Sequence, residues 1–128
     1  MQPGPGCGAG LCQITWNVDW SDINNPKFNG YELLDPSQNL HVAANFFLAP
    51  AIGEAKETQA TQPAKFAVAA DGQVAYGAAA IYNAGWGAMQ KALDLATDVD
   101  QFTTNNYASG VYAFYITLCN QSKVTLGR

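Results

Sequence analysis

The apolar positions of this chain fall into five helical stripes separated by short polar or glycine-containing breaks. Asp35-Pro36-Ser37-Gln38 predicts a helix start: Asp35 can cap free backbone amides, Pro36 tolerates the first turn, and Gln38 sits at the reciprocal capping-box position. Leu40, Ala43, Ala44, Phe47 and Leu48 then recur at helical spacing, and Pro50 is expected to stop the run. Gln59 to Pro63 predicts a polar break, and Phe66 to Ala70 a short helix before Asp71-Gly72. Gln73 to Ala84 reads as a buried, Ala-rich helix ended by Gly85, whose missing Cβ suits a left-handed cap. Another helix is expected from about Trp86 to Ala96, with Met89, Leu93 and Ala96 on one face. The last runs from about Thr103 to Leu118, with Tyr107, Val111, Phe114 and Leu118 along one stripe. Leu11 to Trp20 alternates loosely through Ile14, Thr15, Trp16 and Val18 and predicts a short extended segment or groove edge. Asn24-Asn25-Pro26-Lys27 and Asn29-Gly30 are turns, and the Gly/Pro-rich opening is a loop or arm. The expected fold class is mainly α, with one short extended or β segment after the Gly-rich N-terminus.

Composition narrows the picture. With 128 residues there is room for one domain and a single core. Hydrophobic residues make up 48% and charged residues 12%, which describes a packed protein and not a disordered tail. No apolar run reaches the ~18 residues of a membrane span. Met1-Gln2-Pro3-Gly4-Pro5-Gly6 lacks the basic and apolar regions of a signal peptide. A net charge of −4, with six basic residues scattered along the chain, offers no phosphate-tracking stripe and so argues against nucleic acid. Affinity for an anionic wall would have to come from a groove, because no positive surface concentrates the chain there. Cys7, Cys12 and Cys119 leave one cysteine unpaired if a disulfide forms, and any pairing, or three free thiols, fits the sequence.

Three segments carry a resemblance at candidate site residues, and a fourth, Asp35-Pro36-Ser37-Gln38-Asn39-Leu40, is similar to a helix-opening segment whose role is structural. Gly10-Leu11-Cys12-Gln13-Ile14 is similar to a Gly-Leu-Met-Gln motif, with Cys12 where Met is usual. Ala80-Ile81-Tyr82-Asn83-Ala84-Gly85 is similar to an Ala-Tyr-Asn-Ala-Gly motif and is the most specific of the three. Asn106-Tyr107-Ala108-Ser109-Gly110-Val111-Tyr112-Ala113-Phe114-Tyr115 is similar to a closing helix with one groove-facing Tyr. In this order they resemble the lysozyme-like domain of soluble lytic transglycosylases and goose-type lysozymes, over about residues 10–120, with residues 1–9 an arm and 121–128 a tail. The resemblance implies a muramidase-type domain directed at the MurNAc-GlcNAc bond of peptidoglycan, in a cell-envelope, extracellular or phage lysis setting. It implies substrate-binding roles for Gln13, Tyr82, Asn83 and Tyr107, with Trp16 and Trp86 as aromatic platforms for sugar. A Gln or Asn amide offers both donor and acceptor to hydroxyls and acetamides. The plainer role of Asn83 and Gly85 is to end a helix, and of Gln13 to close a loop.

Such enzymes need a positioned carboxylic acid, which contributes ~10²–10⁴-fold to the rate. The family places that Glu on a helix before Gly-Leu-Met-Gln, and the nine residues before Gly10 contain no acid. Glu32, Glu54 and Glu57 are read as solvated surface charges, and Asp19 is a candidate for a secondary, water-placing role. The expectation is weak or absent turnover, in a chain that starts inside a longer parent and is marginally stable or self-associating through an uncovered face. The rival is a non-catalytic glycan-binding module of the wall. A thiol enzyme built on Cys12 and His41 is disfavoured, since the glycosidase motif explains Cys12 better and a single helical His is commonly a surface residue. One His and scattered acids give no metal-ligand spacing, and no cofactor is implied.

Overall fold

The computed structural model describes the backbone of residues 18–19, 28–29 and 34–126 and the side chains of residues 34–121. The chain is mainly α-helical. It divides into two compact units, residues 1–47 and 48–128.

In the first unit Val18–Asp19 (β1) pairs in parallel with Phe28–Asn29 (β2) over two residues each. Those two residues are the part of the expected extended segment 11–20 that is described. Helix α1 (Pro36–Val42) begins as its sequence predicts: Asp35 Oδ1 accepts the Ser37 N–H at 3.3 Å, and Pro36 occupies the first turn. A π-helical stretch, Ala43–Leu48, follows. Within it Asn45 donates its side-chain amide to the His41 carbonyl at 2.8 Å, and His41 is exposed.

The second unit corrects the expectation at Pro50. Pro50 does not terminate a helix; it stands in the first turn of α2 (Ala49–Thr61), where its missing N–H costs nothing. The polar break expected over Gln59 to Pro63 shrinks to Gln62, whose φ of −135° and ψ of 57° separate α2 from α3 (Pro63–Ala70). Asp71 and Gly72 turn the chain with positive φ, and Gln59 Nε2 donates to the Gly72 carbonyl at 2.9 Å, tying α2 to that turn.

Helix α4 (Val74–Ala84) lies at the centre. Tyr76 through Ile81 are six consecutive buried residues, so this helix is apolar on all sides and must be covered on all sides. Helices α2, α5 (Trp86–Leu95) and α6 (Tyr107–Leu126) pack against it. Its small side chains let these neighbours approach closely. Ala51 and Ala55 of α2, Phe66, Ala69 and Ala70 of α3, Met89, Ala92 and Leu93 of α5, and Ala108 of α6 complete the core.

Helix α5 ends at Ala96, which is left-handed at φ 53° and ψ 48°, and its expected inner face holds at Met89 and Leu93 but not at exposed Ala96. Two 3₁₀ turns, Val99–Phe102 and Thr104–Asn106, lead into α6. Lys91 lies 4.8 Å from the centre of the Phe102 ring, a cation–π contact that ties the first turn to α5. The stripe expected on α6 is corrected: Val111, Phe114 and Leu118 are exposed. The face that α6 buries instead carries Ala108, with Tyr107 and Tyr112 partly buried against the core. Tyr112 packs edge-on against Tyr76 at 6.0 Å between ring centres.

The tightest point of the core is Gly77. A Cβ there would lie 2.9 and 3.0 Å from Phe66 Cε2 and Cζ and 3.4 Å from Met89 Cε, and both of those side chains are fully enclosed. Gly53, on the exposed side of α2, has nothing within 4 Å of the same position. Gly77→Ala is therefore expected to destabilise by about 1 kcal/mol, the overpacking exceeding the gain in helix propensity. Gly53→Ala is expected to stabilise by up to about 1 kcal/mol. Urea unfolding monitored by circular dichroism reads both signs.

Candidate functional site

Two places in the second unit concentrate polar side chains, and they do different things. One is a buried knot at the start of α6, built from the sequence Asp98-Val99-Asp100 and Thr103. Asp100 is buried, and its carboxylate accepts the Ala108 N–H at 2.9 Å, the Ser109 N–H at 3.2 Å, the Thr103 hydroxyl at 2.6 Å and the Ser109 hydroxyl. An anion facing free amides at a helix start satisfies them and complements the helix dipole. Asp98 Oδ1 accepts the Asp100 N–H at 2.9 Å and the Tyr76 hydroxyl at 2.7 Å, which links the knot to α4.

The electrostatics follow from these contacts. Burial pushes the Asp100 carboxyl up, but the hydrogen bonds from Ser109, Thr103 and the two backbone amides together outweigh burial and hold it below the usual carboxylate range. Burial, with the Asp98 hydrogen bond and the charges of Asp98 and Asp100, drives the Tyr76 phenol well up against the lowering contact from Ser109. Both Asp100 oxygens and Asp98 Oδ1 are committed to holding helices together, so the knot is structural.

The other place is a surface cleft of about 320 Å³ lined by Glu54, Glu57, Thr58, Thr61, Gln62 and Trp86. Residues 54, 57, 58 and 61 follow helical spacing along one face of α2, with Thr58 buried beside Ala51 and Ala55 and the others nearer the surface. Thr58 and Thr61 donate their hydroxyl protons to the Glu54 and Glu57 carbonyls, at 2.7 and 2.8 Å. Neither carboxylate has an ion-pair partner among the described residues. Trp86 enters as the first residue of α5, and Gly85 before it sets the direction of that helix. Gly85 has φ 89° and ψ 167°, so it takes the positive φ expected of it with an extended ψ, not the left-handed helical cap.

The residues singled out from sequence separate. Trp86 lines the cleft and is half-buried, packing one part of its ring on the core. Asn83 Oδ1 accepts the Thr104 N–H at 2.9 Å, so its carbonyl pins the second 3₁₀ turn to the end of α4. Tyr82 and Tyr107 are partly buried against the core, and Tyr107 donates its backbone N–H to Thr103 Oγ1 at 3.1 Å. Asn83 and the segment leading to Tyr107 are thus brought together. Gln13, Trp16, Cys7 and Cys12 lie outside the described residues, as does the side chain of Asp19. Cys119 is a free thiol.

Glu54 and Glu57, expected as surface charges, are half-buried and exposed respectively and line the cleft with Trp86. The sequence signal for that shared lining is their placement with Thr61 along one helical face. Among the described residues no group of His, Cys, Asp and Glu could hold a metal ion, and no helix is long and apolar enough to cross a membrane. Comparison with protein-family models, with curated proteins and with solved structures finds no match to this chain.

The knot makes a testable claim about pH. Because Asp100 titrates lower folded than unfolded, its contribution is present above the unfolded carboxyl value of about 4 and is lost as pH falls through the folded value. Asp100→Asn places amide protons against donors and is expected to cost about 2 kcal/mol at pH 7. The deficit of the variant should shrink as pH is lowered below about 4, which paired urea titrations at several pH values measure.

Proposed function

We propose that this chain is a peptidoglycan-directed domain of the lysozyme-like, muramidase type, and that it engages the glycan of the bacterial wall. The observation that carries the reading is the cleft beside the Tyr82-Asn83-Ala84-Gly85 corner. It combines an indole with side chains able to hydrogen-bond, the pairing that a sugar ring calls for. Apolar ring faces stack on Trp86, and hydroxyl and acetamide groups meet Gln62, Thr61 and the two carboxylates. The short turn Ala84-Gly85 holds Trp86 close in sequence to Asn83, whose Oδ1 is spent on Thr104 while its amide nitrogen carries protons for a ligand. Gln13, Trp16 and Tyr107 complete the proposed binding set on the strength of their motifs.

Binding is the primary activity on this reading. Proton donation to a glycosidic oxygen requires an acid in contact with that oxygen and tuned for it, and no carboxylate among the described residues is identified in that role. The cleft carboxylates therefore serve as ligand acceptors.

Retention on purified peptidoglycan sacculi, followed by mass spectrometry of any released muropeptides, tests the proposal. Sedimentation with the sacculi is expected. Trp86→Ala should weaken it about tenfold, a loss of ~1.4 kcal/mol, in protein that is still folded by circular dichroism although its midpoint falls with the lost core contact. Asn83→Asp keeps the acceptor for Thr104 but removes the amide protons, so it should fold and bind less well. Wild-type protein that stays in the supernatant would overturn the reading. Anhydro-muramyl products would reveal transglycosylation in addition to binding, and new reducing ends hydrolysis.

A further inference from the structure

Among its described lining residues the cleft carries two carboxylates and no basic residue, a charge that a neutral sugar does not balance. Ionised Glu54 and Glu57 accept hydrogen bonds and cannot donate them. Thr58 and Thr61 have already given their hydroxyl protons to the backbone carbonyls of the same helix, and Thr58 is itself buried, so neither supplies a proton to a ligand. Among the lining side chains, the Gln62 amide and the Trp86 indole N–H carry the protons left to donate. The cleft therefore favours a proton-donating ligand, and its charge decides between a hydroxyl and an ammonium.

Charge points the same way. Glu57 lies near the carbonyl end of α2, where a negative charge opposes the helix dipole, and no basic residue occupies that last turn. The amino end of α5 at Trp86 supplies roughly half a positive charge, which two full carboxylate charges exceed. The face of an indole completes the arrangement, since its π-system attracts a cation.

We propose that the cleft formed by Glu54, Glu57 and Trp86 receives a primary ammonium group of the wall polymer. Such a group is carried either by a de-N-acetylated amino sugar or by the diamino-acid side chain of the stem peptide. The inference rests on the peptidoglycan reading and names the chemical group recognised at its site. The ammonium donates to the carboxylates and its carbon stem packs on Trp86. N-acetylation removes both the charge and two of the three protons.

Calorimetric titration of the full chain with matched probes tests this. One pair is a glucosamine oligomer against the N-acetylglucosamine oligomer of equal length. The other is Nα-acetyl-lysine amide against its Nε-acetylated form. In at least one pair the free amine is expected to bind about tenfold more tightly, with affinity falling as salt is raised. The pair that shows the difference identifies the source of the amine. Glu54→Gln combined with Glu57→Gln should abolish the preference while leaving the urea midpoint nearly unchanged, since neither carboxylate has an ion-pair partner among the described residues. Equal affinity within both pairs, absence of binding in both, or a preference that survives the double substitution would each overturn the proposal. Sacculi whose amines have been chemically acetylated separate this failure from that of the parent reading. Retention unchanged by acetylation overturns ammonium recognition and leaves wall binding standing, whereas no retention on native sacculi overturns both.

Discussion

The second unit depends on the burial of α4. A helix with six consecutive enclosed residues has no solvent face, so its neighbours are obliged to surround it. Alanine and glycine make that possible at short range. Gly77 admits the Phe66 ring where a methyl group would collide, and Ala78, Ala79 and Ala80 present almost flat surfaces to the surrounding helices. The backbone of α4 is satisfied internally. The difficulty is in the 3₁₀ turns and at the start of α6, and there Asp98, Asp100, Thr103 and Asn83 supply acceptors to the N–H groups that helices leave open.

Those two arrangements explain what was legible in the sequence. The Ala-rich run ending at Gly85 was legible because residues that small and that apolar, in series, fit only a buried helix. The Asp35-Pro36 start was legible because capping is a local interaction. Pro50 misleads because a missing N–H is as well accommodated in a first turn as after a last one, and residue type alone does not choose between the two. The α6 stripe misled for a different reason: spacing shows that Val111, Phe114 and Leu118 share a face but not whether that face is covered. Ala108 and Tyr112 face the core instead.

The sites divide along the same line. The Asp100 knot links residues eight and nine positions apart across two 3₁₀ turns, and no simple periodicity announces such a loop. Asn83 was noticed for its motif, but its bond to Thr104 spans 21 residues and only the fold could reveal it. The carboxylate stripe of α2 obeyed a rule visible in the sequence. It was read as solvent-facing because its partner in the cleft, Trp86, arrives from a separate helix.

Gly85 connects these observations. Its backbone, at φ 89° and ψ 167°, lies where side-chain-bearing residues are essentially excluded. That one residue aims α5, and α5 aims Trp86. The rest of the cleft wall is different in kind: Glu57 and Thr61 are exposed, and their side chains contribute nothing to the core. Geometry and chemistry of the cleft are therefore encoded at separate positions. The frame is fixed by a glycine that cannot drift, while the polar wall can be rewritten residue by residue. A lineage could change which ligand such a cleft prefers without having to solve the fold again.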